Sequence, residues 1–131
     1  MPKFPLINSE GTAIYKQYCN FPGVSADTYQ LNPPGVTTKT ATAYTLNNND
    51  NGKIVVFTNS SAITLTIPAG LDKRFTCSIV QYGTGQITVT AGAGATLRLR
   101  NNTNKTGGQY AIASLVSVIT NEYILTGDTT N

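Results

Sequence analysis

The side chains that could do chemistry in this chain of 131 residues are few. There is no histidine, so the Ser-His-Asp and Cys-His systems of nucleophilic catalysis and the usual zinc sites are excluded. A glycosidase needs two carboxylates that face each other across a cleft. The acids fall mostly in turn-like segments, and they are Glu10, Asp27, Asp50, Asp72, Glu122 and Asp128. We therefore expect no enzymatic activity, no catalytic residues, no metal site and no cofactor.

The segment NNNDNG, residues 47–52, has some of the oxygen ligands of a calcium loop. It lacks the downstream glutamate that binds the ion with both oxygens in an EF-hand. A flexible polar turn is the favoured interpretation.

Two Gly-x-Gly pairs lie in the stretch YGTGQITVTAGAGATLRLR, formed by Gly83 with Gly85 and by Gly92 with Gly94. A phosphate-binding loop needs backbone N–H groups that converge at the start of a helix. Strand-like sequence, QITVT and ATLRLR, follows each pair instead. We expect both pairs to form turns between strands, in which glycine supplies positive φ where the chain reverses.

Basic residues exceed acidic ones, with a net charge of +3 and a sequence pI of about 9.0. They are scattered, and no basic run alternates with aromatic residues, so we expect no nucleic-acid partner. Arg98 and Arg100 alternate with Leu97 and Leu99, which places both guanidinium groups on one face of a strand. They are secondary candidates for contact with an acidic partner; the alternative is that they only solvate an outer face.

The two cysteines, Cys19 and Cys77, lie in unlike regions and do not form a disulfide framework. Cys77 lies in the strand-like run RFTCSIV, where a buried free thiol is expected. The start MPKFPLINSEG shows no secretion signal, and no apolar stretch has membrane-spanning length. We expect synthesis in a cytosol and no membrane insertion.

The elements that must position any site are short strands from Tyr44 onward. AITLTIP alternates apolar and polar residues, RFTCSIVQY points Phe75, Cys77 and Ile79 to one face, and KIVVFTN is apolar enough to be buried on both faces. QITVTA, TLRLR, YAIASLVSVIT and EYILTGD complete the set. The predicted fold is all-β, a small antiparallel β-sandwich or barrel-like knob over residues 44–131.

Residues 1–43 are predicted to form an irregular N-terminal arm. This segment holds all but one of the prolines and shows no sustained apolar period. It is rich in aromatic residues, which disordered tails usually lack. Two interpretations stay open: the arm docks onto a partner, or it packs on its own domain. The docking candidates are Phe4, Tyr15, Tyr18, Phe21 and Tyr29.

Several motifs in order resemble a β-structured module of tailed-bacteriophage virion proteins. Asp50, Gly52 and Lys53 match an Asp-x-Gly-Lys turn, and residues 60–68 match a Ser-Ser-Ala-x-Thr-Leu-Thr-Ile-Pro strand. The Gly-x-Gly-x-Ile-Thr-Val hairpin with Ala-Gly-Ala-Gly follows, and then Gln-Tyr-Ala and Tyr-x-Leu-x-Gly-Asp. The resemblance covers about residues 44–128.

The resemblance implies a structural or adhesive virion protein, often a homotrimer. The favoured function is a capsid decoration or cement protein, bound to the major capsid protein through its N-terminal arm and located on the outer surface of the virion. Such a protein needs contact area and no chemistry. The alternative is a tail fibre or spike module that binds a host surface glycan, with Asn-rich loops as hydrogen-bonding groups and Tyr82 or Tyr110 as a stacking platform.

Overall fold

The computed structural model describes residues 35–131, and the predicted all-β class is confirmed there. Residues 1–34, with the five aromatic docking candidates and Cys19, lie outside the described residues. A single 3₁₀ turn, Asn48–Asp50, accompanies the strands of the described part. The strands are β1 (Val36–Lys39), β2 (Ala43–Thr45), β3 (Lys53–Phe57), β4 (Ile63–Ile67), β5 (Thr76–Gln81), β6 (Ile87–Ala91), β7 (Thr96–Leu99), β8 (Lys105–Thr106), β9 (Ile112–Ile119), β10 (Glu122–Gly127) and β11 (Thr129–Thr130).

The strands form two sheets. Sheet A is six-stranded, in the order β1-β3-β5-β9-β10-β7, and sheet B is five-stranded, in the order β11-β8-β6-β4-β2. From β1 to β6 the chain crosses to the other sheet after every strand. For that reason β1, β3 and β5 pair in parallel in sheet A, and β2, β4 and β6 pair in parallel in sheet B.

This winding is solenoid-like. The two sheets agree with the predicted sandwich in outline, but the antiparallel arrangement is wrong for these six strands, and no barrel forms in the described part. An antiparallel hairpin needs consecutive strands to be neighbours in one sheet, and here consecutive strands lie in opposite sheets. The later strands differ: β9 pairs antiparallel with both β5 and β10, and β7 returns parallel to β10 at the sheet edge.

The core lies between the inner faces of the two sheets. The predicted alternation of β4 is confirmed, because Ile63, Leu65 and Ile67 are all buried. Burying a side chain of this size contributes about 1.5–3 kcal/mol. The prediction that β3 is buried on both faces is wrong: Val55 and Phe57 are buried, while Ile54 and Val56 stay partly exposed. The reason is that no second layer covers the outer face of sheet A within the described residues.

The glycine pairs join strands, as predicted, but they do not form hairpins, since each connection crosses between sheets. Gly94 has a φ of 82°, as expected of a turn glycine. Gly83 and Gly85 are needed for another reason. A Cβ on Gly83 would lie 2.4 Å from the Thr58 carbonyl oxygen, and one on Gly85 would lie 2.0 Å from the Ser61 carbonyl oxygen. These glycines let one loop stack directly on the backbone of the loop before it.

Within the described residues the first strand begins at Val36, earlier in the chain than the predicted start at Tyr44. β1 pairs with β3 in sheet A, with Val36 opposite Ile54 and Lys39 opposite Phe57. The sequence VTTK is too short and too polar to show a period, and only the pairing with β3 makes it a strand.

Candidate binding surfaces

Arg98 and Arg100 are both exposed, as the alternation with Leu97 and Leu99 predicted. Arg98 is already paired: its Nε and one terminal nitrogen each lie 3.3 Å from a carboxylate oxygen of Glu122. β7 lies parallel to β10 with Thr96 opposite Glu122, which brings the two charges together. The ion pair raises the pKa of Arg98, so this guanidinium is already occupied by a carboxylate and is a weaker candidate for a partner contact.

The outer face of sheet A carries an exposed apolar surface, which we call the apolar face. Val118 is 66% exposed and Ile119 is 60% exposed, although both are large β-branched side chains. Single exposed apolar residues are ordinary on a protein surface, but a contiguous group points to an interaction site. The outward members of the apolar face are Ile112, Val116, Val118 and Ile124, and Ile119 adds exposed apolar surface at the end of β9.

Strand pairing accounts for the continuity of the apolar face. On β9 the alternation buries Ala113, Leu115 and Ser117 and points Val116 and Val118 outward. Val116 lies opposite Ile124 of β10, so their side chains share the outer face. The sequence SLVSVIT showed a strand, but it did not show that the second face stays open to solvent.

A cleft with two cations borders the apolar face. It has a volume of about 410 Å³ and is lined by Lys73, Arg74, Val118, Ile119 and Thr120. Pairing between β5 and β9 ends where Thr76 lies opposite Val116, while β9 continues to Ile119. In the described part of the chain neither Lys73 nor Arg74 forms a salt bridge, since the pair Arg98–Glu122 is the one found there.

The backbone at this cleft is strained. Arg74 has a φ of 61°, a left-handed conformation that costs a side chain with a Cβ about 1–2 kcal/mol. This turn ends the β4–β5 connection, and Phe75 just after it is fully buried while its N–H bonds to the Asp72 carbonyl at 3.2 Å. The strained turn holds Arg74 exposed beside β9, so the cleft combines positive charge with apolar surface.

A second candidate surface contains two exposed tyrosines. Tyr82 is 56% exposed and Tyr110 is 63% exposed. Their ring centroids lie 5.5 Å apart with an angle of 73° between the ring planes. Residues so far apart in the sequence meet because the Tyr110 N–H donates to the Gln81 carbonyl at 2.5 Å. The sequence named each tyrosine as a possible platform but did not show that they form a pair.

The buried polar groups, by contrast, are structural. The Asp50 carboxylate is buried and accepts hydrogen bonds from the Tyr44 hydroxyl at 2.8 Å and the Asn47 N–H at 3.0 Å. The segment NNNDNG is therefore a capped turn, which confirms the turn predicted there. No group of three potential metal ligands occurs among residues 35–131.

The Cys77 thiol is free and buried, as predicted. Burial, and then the nearby charge of Asp50, raise its pKa to about 12. A thiol with such a pKa stays protonated at neutral pH, and the nucleophilic form is the thiolate. Cys77 is therefore a core residue and not a reactive one.

Searches against known proteins found no match: no protein-family model matches the chain, and no curated protein sequence does. The part of the chain that the structure describes contains no helix that is long and apolar enough to cross a membrane.

Proposed function

We propose that this chain is a non-enzymatic structural protein of a tailed-bacteriophage virion, a capsid decoration or cement protein. Its partner is the major capsid protein, and its place is the outer surface of the particle. The observation that carries the proposal is the exposed apolar face of sheet A, in which Val116 and Val118 of β9 lie beside Ile124 of β10. The ordered motifs between residues 44 and 128 supply the virion context.

An apolar surface of this kind suits a protein that works through buried contact area. The core of a protein interface is depleted of charge and rich in apolar side chains, and its rim is polar. Val118 and Ile119 match the core of such a patch, and the neighbouring Lys73 and Arg74 match its rim. The complementary surface on the shell is expected to be apolar with carboxylates at its border, because opposite charges across an interface set its register.

The part of the predicted arm that precedes β1, residues 1–34, supplies the second part of the attachment in this proposal. Their aromatic residues bury much area at small entropic cost when they dock. A homotrimer fits the proposal as well, because a small core gains stability by association. Sedimentation of the purified protein tests the trimer, and a monomer both in solution and on the particle would contradict it.

Capsid occupancy tests the proposal directly. Full-length protein is mixed with undecorated capsids, the capsids are pelleted, and bound protein is quantified. Val118→Lys places a charge in the apolar face and should lower occupancy at least about tenfold, in the range of an interface hot spot. Thr64→Lys is the matched control, since Thr64 is exposed on the outer face of sheet B. If both variants occupied capsids equally, the apolar face would not be the attachment surface. If the unmodified protein did not bind capsids, the whole proposal would be overturned.

The second candidate function is a tail fibre or spike module that binds a host surface glycan. The exposed pair Tyr82–Tyr110 favours it. Binding of the protein to host cells, with no binding to undecorated capsids, would place this candidate first.

A further inference from the structure

The cleft at the end of β9 is concave, a shape that attachment through contact area alone does not require. Its volume is about 410 Å³, which lies within the range of small-molecule sites, roughly 300–1,000 Å³. Two cations line it together with two apolar side chains and one hydroxyl, and these residues are Lys73, Arg74, Val118, Ile119 and Thr120. A concave surface of this composition can hold a molecule that is charged at one end and apolar at the other.

The backbone of Arg74 adds an independent observation. The Phe75 N–H donates to the Asp72 carbonyl at 3.2 Å, which closes a turn with Lys73 and Arg74 as its two central residues. Arg74, at the third position, has a φ of 61°. A turn with positive φ there ordinarily takes glycine or asparagine. Strain of this kind concentrates at functional sites, where the side chain is needed for another reason.

The two cations of the cleft lack an acidic partner among residues 35–131. The salt bridge found there joins Arg98 to Glu122, so the acid that follows the β9–β10 turn is already paired. Asp72 is adjacent to Lys73 in the sequence, but it is exposed and is not among the residues that line the cleft. Two like charges beside one cavity repel each other, and an anion placed with them is attracted to both. Charge-assisted hydrogen bonds to such an anion are the strong ones.

The apolar part of the cleft continues along the outer face of sheet A. Val118 and Val116 both point outward from β9, and two positions along a strand span about 7 Å. Val116 lies beside Ile124 of β10, which widens the apolar strip. An alkyl chain of a few carbons that enters at the cleft can therefore lie along β9 from Val118 to Val116.

We infer that this cleft binds a small anionic amphiphile, a single-chain molecule with a carboxylate or phosphate head. The head group pairs with Lys73 and Arg74, and the aliphatic chain covers Val118 and Val116. Neither half suffices alone, because exposed charges are screened by salt and a short open strip buries little apolar area. The inference goes beyond the proposed attachment to capsids and does not depend on it.

The test is a titration of the isotope-labelled full-length protein, followed through the NMR shifts of its backbone amides. Octanoate and octyl phosphate carry both halves, acetate and inorganic phosphate carry the head alone, and octyl glucoside carries the chain on a neutral head. All are used below the concentration at which they form micelles. Octanoate and octyl phosphate should shift the amides of Arg74 and Thr120 and bind about tenfold or more tightly than the partial probes. From butanoate to octanoate, affinity should rise roughly two- to fourfold with each CH₂.

Three results would overturn the inference. Octyl glucoside that binds as tightly as octanoate would show a plain apolar surface, and inorganic phosphate that binds as tightly as octyl phosphate would show a plain cationic one. The third is the absence of saturable shifts at the cleft with octanoate and octyl phosphate. Sedimentation with phosphatidylglycerol vesicles distinguishes a free amphiphile from a bilayer lipid. The protein should stay in the supernatant, and pelleting with vesicles in the absence of octanoate binding would contradict the assignment to a free single-chain ligand.

Arg74→Gly separates a binding role from a structural one. Glycine suits the positive φ, so the variant should melt at the same temperature or higher, while affinity for octanoate falls about tenfold or more. Asn102→Gly is the backbone control, because Asn102 also has a left-handed conformation, with a φ of 57°. Arg100→Ala is the charge control, since it removes an exposed cation outside the cleft.

Both controls should bind octanoate as the unmodified protein does. Unchanged affinity in Arg74→Gly, or an equal loss in Arg100→Ala, would remove the cleft cation from the site and overturn the inference. No capsid takes part in these titrations, so their failure and the failure of the proposed function are separate results.

Discussion

The hydroxyl of Tyr44 donates a hydrogen bond of 2.8 Å to the buried carboxylate of Asp50. The same carboxylate oxygen accepts the Asn47 N–H, and the Asn47 side chain in turn accepts the Asn49 N–H at 2.9 Å. These bonds close a capping box around the 3₁₀ turn. A polar segment that could have been mobile is thereby fixed between β2 and β3.

We expect Asp50→Ala to destabilise the protein by about 2–3 kcal/mol, because hydrogen bonds to a charged group are lost and two donors are left without an acceptor. Urea unfolding measures the change. Asp72→Ala is the control, since Asp72 is exposed, and it should shift the unfolding free energy by no more than about 0.5 kcal/mol. Equal effects for the two variants would show that the buried carboxylate is not the anchor of this turn.

Stability should fall in alkaline solution. Burial and the hydrogen bond to Asp50 raise the pKa of Tyr44 from 10.0 to about 12, and burial raises that of Cys77 from 9.0 to about 12. Both groups hold their protons more tightly in the folded state. Their contribution is therefore complete below the unfolded values and is lost as the pH rises from 9.0 to about 12.

Thermal melts across that range measure the loss. Cys77→Ala should remove the part of the pH dependence that begins near 9.0 and leave the part due to Tyr44. A melting temperature that stays constant up to about 12 would contradict both shifts.

Gly85→Ala should destabilise the protein by about 2 kcal/mol or more, because its Cβ would overlap the Ser61 backbone and one loop would have to move. Gly108→Ala is the matched control, since its Cβ would meet no atom within 4 Å. That variant should be neutral, or more stable by up to about 1 kcal/mol, because alanine restricts the unfolded chain. The unfolding free energies of the two variants, measured by chemical denaturation, show whether the close contact at Gly85 matters or whether any glycine-to-alanine change destabilises the protein.

Thr106→Val should cost about 1–3 kcal/mol although the two side chains have nearly the same shape. The Thr106 hydroxyl donates to the buried Gln81 side-chain oxygen and accepts the Ile87 N–H at 2.9 Å. Valine would leave both groups unpaired in the core. Thr64→Val, on an exposed position of β4, should change the unfolding free energy little. If Thr106→Val left the unfolding free energy unchanged, water would have replaced the hydroxyl as the hydrogen-bond partner.

Alanine substitution of Tyr15, Tyr18 or Phe21 should weaken capsid binding by about 1–4 kcal/mol if these side chains are anchors of the arm. Arg98→Ala should have a smaller effect, seen mainly at low salt, since exposed charges are screened. Occupancy of undecorated capsids at two salt concentrations measures both. Full occupancy by a variant that lacks residues 1–34 would show that the arm does not attach the protein.

Much of the local structure was predictable from the sequence. The alternation in ITLTI and ITVT identified β4 and β6 together with their buried residues. YAIASLVSVIT was correctly predicted as a strand, because it is rich in β-branched residues. Strands β1, β8 and β11 were missed, since each is too short or too polar to show a period and is defined by its neighbour.

The candidate sites were less predictable. Tyr82 and Tyr110 could be named singly, but their contact depends on the stacking of two loops. The apolar face could not be foreseen, because an alternating strand indicates which residues share a face and not whether another layer covers the other one.

The sequence by itself determined the all-β class, the alternation that buries residues such as Leu65 and Val89, and the absence of histidine chemistry. These follow from local preference and from composition, which need no partner strand. Only the tertiary structure decided that β1 to β6 pair in parallel, that Gly85 stacks on Ser61, and that Val118 and Ile119 stay exposed. The physical reason is that strand direction and face coverage depend on contacts between residues distant in the chain, and a period along one strand carries no information about its neighbour.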